Sequence, residues 1–388
     1  MKERGLAMSE NIKDMRAELD KIDGELLSLL TKRMEVSREI GEYKRDNNLP
    51  VYDREREREM LCRLAAAVPP ENANAVQVLY GSIFEISRGI QSKMIYKPSA
   101  LQRQIAEALE NTPKVFPSSA VVACQGVEGA YSQFAADKLF ALPNIMYFNG
   151  FEGVFQAVQS GLCRYGVLPL ENSTAGSVNE VYDLMNRYSF FIARAVRLRI
   201  NHTLMSRPGV KLADIKEILS KEEALNQCGN FIKSLKGVRA TICENTAAAA
   251  KLVAESDRAD IAAICSEDCA NLYNLAPLSY EVANSENNYT RFICISKNLE
   301  IYPGAHKTSL MLTVQHKPGA LYNVLAKFNA LGINLIKLES RPIPGRDFEF
   351  KFYFDIDVPV YSESLRLVID ELEREAAMFD YLGSYQEI

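Results

Sequence analysis

Apolar residues at Ile12, Met15, Leu19, Ile22, Leu26 and Leu29, resuming at Val36, Ile40 and Tyr43, alternate in steps of three and four, which marks one helical seam. A helix from residue 12 to 44 would be about 50 Å long, whereas a 100-residue domain has a radius of gyration near ~13 Å. The pattern therefore predicts a helix whose seam must be covered by another chain. Pro50 ends it, Asp53 is placed to cap a second helix through Leu64, and a third is predicted from Glu71 to Tyr96. In the third helix Tyr80, Phe84, Ser87, Gln91 and Met94 share a face, so Ser87 and Gln91 are adjacent polar breaks in an apolar stripe. Asp53, Arg56, Glu57, Met60 and Leu64 form the corresponding stripe of the second. Residues 8–97 read as an all-α domain.

The pattern then changes. Pro98, Pro113 and Pro117 surround one short helical pattern, and residues 98–118 read as a linker. From Ala120 the segments VVACQGVEGAYS, YGVLPLENSTAGSV, KEILSKEEAL, ATICENTAAAAKL and DIAAICS each place a short apolar strand before a polar or glycine-containing turn and a helix. That grammar predicts α/β architecture with largely parallel strands over residues 119–297. The order from Ser309 is strand, helix, strand, strand, helix, strand, which predicts a ferredoxin-like α+β plait over residues 306–386.

Composition adds boundaries. A chain of 388 residues fits two to three domains. Its 47% apolar and 24% charged residues are those of a globular protein, and a net charge of -5 with interleaved cations gives no footprint for nucleic acid. Eight cysteines without a CxxC pair, and three histidines, argue against a metal site, and no cofactor motif is found. The first residues lack the apolar core of a signal peptide, and no run approaches the ~18 residues of a membrane span. A cytoplasmic location with reduced thiols is expected.

Chemistry enters with the cations. Arg33 stands where the seam demands an apolar residue, and an unpaired buried guanidinium costs several kcal/mol, so an anion is expected beside it. Lys44 lies eleven residues on, about 20° around the same helix. Arg16 is seventeen residues away, roughly 26 Å along the axis, and cannot share that pocket within one chain; an antiparallel partner chain can supply it. The blander reading makes the alternating charges of Arg54 to Glu59 a solvated face and Arg33 a registry device of a coiled coil.

The run IKDMRAELDKIDGELLSLLTKRMEVSREIGEYKRDNNLPVYDREREREML, followed by SIFEISRGIQSKM, closely resembles the all-helical chorismate mutases over residues 10 to 95. The resemblance implies that Arg16, across a dimer, and Arg33 bind the substrate carboxylates with support from Arg56. Lys44 and Gln91 would donate to the ether oxygen, and Asp53, Glu57 and Ser87 would hold the hydroxyl end. GVEGAYS (126 to 132), GVLPLENSTAGSV (166 to 178), ENTAAAA (244 to 250) and NNYTRF (287 to 292) resemble prephenate dehydratase over about 119 to 297. This resemblance implies two subdomains of the periplasmic-binding type with the substrate between them, and Thr290 as the residue essential for dehydration. Glu171, Asn172, Ser173, Thr174, Arg291 and Phe292 are its candidate substrate-binding residues, with Arg291 equally able to pair with an acid of the protein. Ser220 to Glu223 depart from the family's usual Ser-His-Pro-Gln turn, and His202 reads as structural. PGALY (318 to 322) and LESRPIPG (338 to 345) are similar to the phenylalanine-sensing ACT domain. They imply feedback inhibition through Gly319, Ala320, Leu321, Glu339, Ser340, Arg341 and Pro342. Together the resemblances imply an enzyme converting chorismate through prephenate to phenylpyruvate, as a dimer through the helical domain or a tetramer. The rival reading is a non-catalytic sensor in which the helices serve dimerisation alone.

Overall fold

The computed structural model describes residues 2–47, 49–95, 99–343 and 349–388, and the side chains among these other than those of 2–11, 54 and 92–95. Tyr96, Pro98, the Met94 side chain and the last two residues of LESRPIPG, all used in the sequence reading, lie outside that set. The chain divides into two compact units, Met1–Ser99 and Ala100–Ile388.

The first unit is helical. α1 (Lys2–Asp46), α2 (Arg54–Ala66) and α3 (Pro70–Ile95) follow in order, with α3 packed against both others. Asp53 caps α2 by accepting from the Arg56 backbone N–H at 3.1 Å, and Pro70 starts α3 at a position where its missing N–H costs nothing. Extending over 45 residues, α1 is longer than the seam predicted and spans about 67 Å. Within this unit its seam stays open: Met15 is 61% and Leu29 65% exposed. The stripe that turns inward carries Arg33, Met34, Ser37, Gly41 and Lys44.

The second unit opens on α4 (Ala100–Asn111), a docked helix inside the segment expected to be a linker. Ile105 and Ala108 join an apolar cluster with Leu310, Leu312 and Phe354. β1 (Ser119–Gln125), α5 (Tyr131–Leu139), β2 (Leu142–Phe148), α6 (Phe151–Gln159), β3 (Tyr165–Asn172), β4 (Gly176–Ser177), α7 (Asn179–Tyr188) and β5 (Phe191–Arg199) then build a first subdomain. The chain crosses to a second subdomain comprising β6 (Thr203–Ser206), β7 (Glu217–Ser220), α8 (Glu222–Gln227), α9 (Gly229–Ser234), β8 (Arg239–Ile242), α10 (Thr246–Glu255), β9 (Ile261–Cys265), α11 (Cys269–Tyr273) and β10 (Ala276–Ser279). It returns as β11 (Tyr289–Ser296), inserted between β3 and β5. Two crossings between two sheets are the layout of the periplasmic-binding type. β1, β2 and β3 pair in parallel as expected, but β11 runs antiparallel to both neighbours because it re-enters from the far subdomain.

β12 (Lys307–Thr313), α12 (Ala320–Ala330), β13 (Asn334–Pro342), β14 (Phe350–Asp357), α13 (Glu363–Glu375) and β15 (Met378–Glu387) complete the chain. Their antiparallel order, β13-β14-β12-β15, is that of the expected βαββαβ plait. The plait does not stand apart. β15 pairs in parallel with β5 through Gln386 and Glu387, fusing both into one ten-stranded sheet among the described residues. A side chain at Gly383 would put its Cβ 2.6 Å from the Ile192 carbonyl oxygen, so glycine is what lets the two strands meet there. Met311, Tyr353, Leu382 and Tyr385 of the plait share one core with Leu168, Tyr182 and Met185. Among the described residues no helix is long and apolar enough to cross a membrane.

Candidate functional site

In the helical unit, the Arg33 guanidinium crosses from α1 to α3, where Nη1 donates to Ser87 Oγ at 2.5 Å and the group lies 5.5 Å from the Phe84 ring centre. Burial lowers the Arg33 pKa from its ordinary value, against the pull of Tyr80 and Glu57. Lys44 Nζ donates to the Val51 carbonyl at 2.6 Å. Burial likewise lowers its pKa, opposed by Asp53 and Glu57 and reinforced by Arg56. Gln91 is buried, and its Oε1 has no hydrogen-bond partner. Gln91 follows Ser87 by one turn of α3, and an orphaned buried amide oxygen there is an acceptor that a donor of a bound ligand would satisfy.

The single chain does not assemble every predicted residue. Arg16, Asp53 and Arg56 are exposed, with Arg16 on the open part of α1. Glu57 is taken by Arg88, whose Nη1 lies 2.5 Å from Glu57 Oε2 while its guanidinium covers the Tyr52 ring. Arg88 and Tyr52 went unnoticed in the sequence because a charged helix position and a lone tyrosine before a cap carry no periodic signal.

In the second unit, loops at the carboxyl ends of parallel strands meet between the subdomains: 126–130 after β1, 173–175 after β3, 243–245 after β8 and 266–268 after β9. Ligands bind open α/β sheets at such ends. Thr290, the second residue of β11, lies in this region and is buried. Its Oγ1 accepts from Asn172 Nδ2 at 2.9 Å, which leaves its own proton free to donate elsewhere. Asn172 is the hub. Its Oδ1 accepts from the backbone of Thr174 and Ala175 and from Gln227 Nε2 at 3.3 Å, and its Nδ2 also donates to Asn288 Oδ1 at 2.7 Å. Gln227 Oε1 in turn accepts from Asn288 Nδ2 at 2.9 Å and lies 2.8 Å from His202 Nε2. With that oxygen accepting, His202 carries its proton on Nε2, and burial lowers its pKa. Ser173 Oγ completes the turn by donating to the Asn287 carbonyl.

Three residues expected to touch substrate are engaged otherwise. Arg291 is 2% exposed and surrounded by carboxylates: Asp355 Oδ2 at 2.5 Å, Glu387 Oε2 at 3.7 Å, and Glu171 Oε1 at 2.9 Å, close but not aligned for a hydrogen bond. The alternative in which it pairs with acids of the protein is the one realised. Glu171 is also held by Lys337 of β13. Phe292 points into the core of the first subdomain with Val122 and Cys294, because alternate residues of a central strand face opposite sides. Gln227 and Asn288 were not recognised in the sequence; isolated amides have no spacing signature, and only the fold brings them to Asn172. Of the plait residues, Gly319 sits left-handed at φ 80 before α12, with Ala320 and Leu321 opening the helix. Glu339 accepts from Ser177 Oγ at 2.9 Å and Arg341 donates to Asp183 at 3.0 Å, so both reach the first α/β subdomain, while Ser340 and Pro342 alternate with them on β13 and are exposed.

A helical unit with a cationic pocket and an α/β unit with an amide-lined cleft define a two-site enzyme. The type II chorismate mutase family model matches residues 15–92, and the prephenate dehydratase family model matches residues 122–300. A bifunctional chorismate mutase/prephenate dehydratase from Aquifex aeolicus is 30% identical over 97% of this chain and 98% of its own length. Arogenate dehydratase/prephenate dehydratase 2 of Arabidopsis thaliana is 35% identical over 77% of this chain and 81% of its own. A prephenate dehydratase from Arthrobacter aurescens, solved in complex with L-Phe, aligns with a TM-score of 0.63 at 27% identity, covering 69% of this chain and 89% of that one. The chain belongs to the bifunctional chorismate mutase/prephenate dehydratase family, an isomerase and a carbon-oxygen lyase on one polypeptide of phenylalanine biosynthesis.

Proposed function

We propose that residues 8–97 rearrange chorismate to prephenate, residues 119–297 convert prephenate to phenylpyruvate, and residues 306–386 form an ACT domain through which phenylalanine inhibits the enzyme. For the first step Arg33 meets the carboxylates together with Arg16 of a second chain and with Arg56. Lys44 and Gln91 address the ether oxygen, and Asp53, Glu57 and Ser87 the hydroxyl. A pericyclic reaction transfers no proton, so holding a near-attack conformer and stabilising charge on the breaking C–O bond suffices.

In the second step the ring hydroxyl departs as a carboxylate leaves as CO2. The observation that carries this assignment is the Asn172 to Thr290 hydrogen bond, which turns the free Thr290 hydroxyl into a donor for the leaving oxygen. Asn172 and Ser173 line a cavity together with Glu171 and Arg291, Thr174 lines a second one beside it, and the Glu171–Arg291 pair holds the strand that carries Thr290. The start of α12, at Gly319 and Leu321, offers backbone N–H donors to a carboxylate, the Ala320 N–H being donated to the Lys317 carbonyl, and residues 339–342 belong to the same plait. Dimerisation through α1, or a tetramer using the plait as well, and a cytoplasmic setting complete the reading.

Following chorismate, prephenate and phenylpyruvate over time, with and without phenylalanine, tests it. Sequential appearance of both products, slowed at the second step by phenylalanine, is expected. Failure of folded protein to form phenylpyruvate from chorismate overturns the proposal.

A further inference from the structure

Asn245 ends the loop after β8 and caps α10, with Oδ1 accepting from the Ala248 N–H at 2.8 Å. That use of the oxygen fixes where the amide nitrogen goes. Asn245 is 8% exposed, and Nδ2 has no hydrogen-bond partner. A buried amide N–H2 left without an acceptor costs about 1–3 kcal/mol, so such a group calls for a ligand.

Nδ2 faces the other subdomain. A Cβ built on Gly126, at the end of β1, would lie 3.5 Å from it and 3.1 Å from the Ala130 Cβ. Gly126 has φ 106, a conformation other residues rarely adopt, so the space above it is kept clear by the backbone itself. The same loop leads into α5, whose N-cap, Ala130, offers no side chain to the first turn. Ala130 packs with Ala247 of α10 in one apolar cluster, which holds the starts of the two helices together across the subdomains. Two helix N-termini with leading N–H groups and one unpartnered amide thus converge on one spot in the cleft.

We propose that Asn245 Nδ2, with the leading N–H groups of α5 and α10, is a carboxylate subsite of the dehydratase cleft that binds the side-chain carboxylate the substrate retains. The inference rests on the dehydratase reading above and deepens it. Prephenate carries two carboxylates. The one that departs as CO2 loses its charge in the transition state, so donors gripping it would favour the ground state and slow the reaction. Donors on the carboxylate that survives bind substrate, transition state and product alike, and their loss raises KM with little change in kcat.

Asn245→Asp tests this, because aspartate caps a helix as well as asparagine while replacing the donor by a negative charge. Prephenate KM should rise roughly ten- to hundred-fold, the scale of a hydrogen bond to a charged group, with kcat within about three-fold of wild type. Inhibition by added phenylpyruvate should weaken in parallel, and the unfolding midpoint and mutase rate should stay unchanged. An unchanged KM in a folded Asn245→Asp enzyme would assign the residue to capping alone and overturn the subsite. Should Asn245→Asp fail to fold, Asn245→Ser keeps a capping oxygen without the amide and is read by the same KM and product-inhibition criteria. A wild-type enzyme unable to dehydrate prephenate would instead overturn the dehydratase reading, and the subsite with it.

Discussion

Arg291 Nη2 lies 2.5 Å from Asp355 Oδ2, tying the residue beside Thr290 to β14 in the middle of the plait. Burial by itself would lower the guanidinium pKa, but Asp355, Tyr385 and Glu171 outweigh it and hold the group firmly charged. Asp355 is braced in turn, since Ser309 Oγ donates to its other oxygen at 2.5 Å and sits 2.7 Å from the Tyr385 hydroxyl. β14 and β15 reach Arg291 through Asp355 and Glu387, and β13 reaches its partner Glu171 through Lys337. Three strands of the plait are thereby tied to the start of β11.

Asp355→Ala should destabilise the second unit by about 3–5 kcal/mol, because it strands part of a buried positive charge. Dehydratase activity should fall while the mutase, in the other unit, keeps its rate. Denaturant unfolding monitored alongside both assays checks this; equal loss of both activities would contradict it.

Thr290→Ala should reduce dehydratase kcat by roughly 10²–10⁴, the range for a positioned proton donor. Thr290→Ser, which keeps the hydroxyl Asn172 orients, should restore part of that loss. The comparison separates chemistry from packing, since serine also lacks the methyl group; a serine variant as poor as alanine would point to packing.

Burial holds His202 below its ordinary value of 6.5, against the opposing pull of the Gln227 hydrogen bond. As pH falls through 6.5 the unfolded chain takes up a proton that the folded protein refuses, so the unfolded state gains and stability declines until the folded pKa is passed. Above 6.5 the contribution vanishes. Unfolding midpoints of wild type and His202→Asn should therefore diverge in pH slope below 6.5, and parallel curves would remove His202 as the cause.

Arg16→Ala and Arg33→Ala should each abolish the mutase and spare the dehydratase. If Arg16 serves the partner's pocket, mixing and re-equilibrating the two inactive dimers makes half heterodimers, each with one intact site. About a quarter of wild-type mutase activity should then return. No recovery in verified heterodimers would place both arginines in one chain's pocket.

Much of this was legible in the chain itself. The seam of α1, the Asp53 cap and the order of elements in both later domains follow from periodicity and turn chemistry, which are local properties of residues a few positions apart. Within the single chain the seam of α1 stays open, and a second chain to cover it is part of the proposal. Thr290 stood out through its NNYTRF motif, yet the donor role proposed for it rests on the hydrogen bond from Asn172, 118 residues away.

Other features were settled by tertiary structure. Residues 98–118 look like a linker because proline punctuates them, but α4 docks because the plait presents an apolar face to Ile105 and Ala108. Nothing local tells whether Arg291 meets a ligand or a protein acid; the partner Asp355 lies 64 residues on, and strand order brings it within reach. Gln227, Asn288 and Asn245 gain their meaning in the same way. The sequence by itself determined the elements and the charged face of α1, because hydrophobic periodicity is a short-range property. Only the tertiary structure decided which polar groups are satisfied and which are left waiting, because burial depends on residues far apart in the chain.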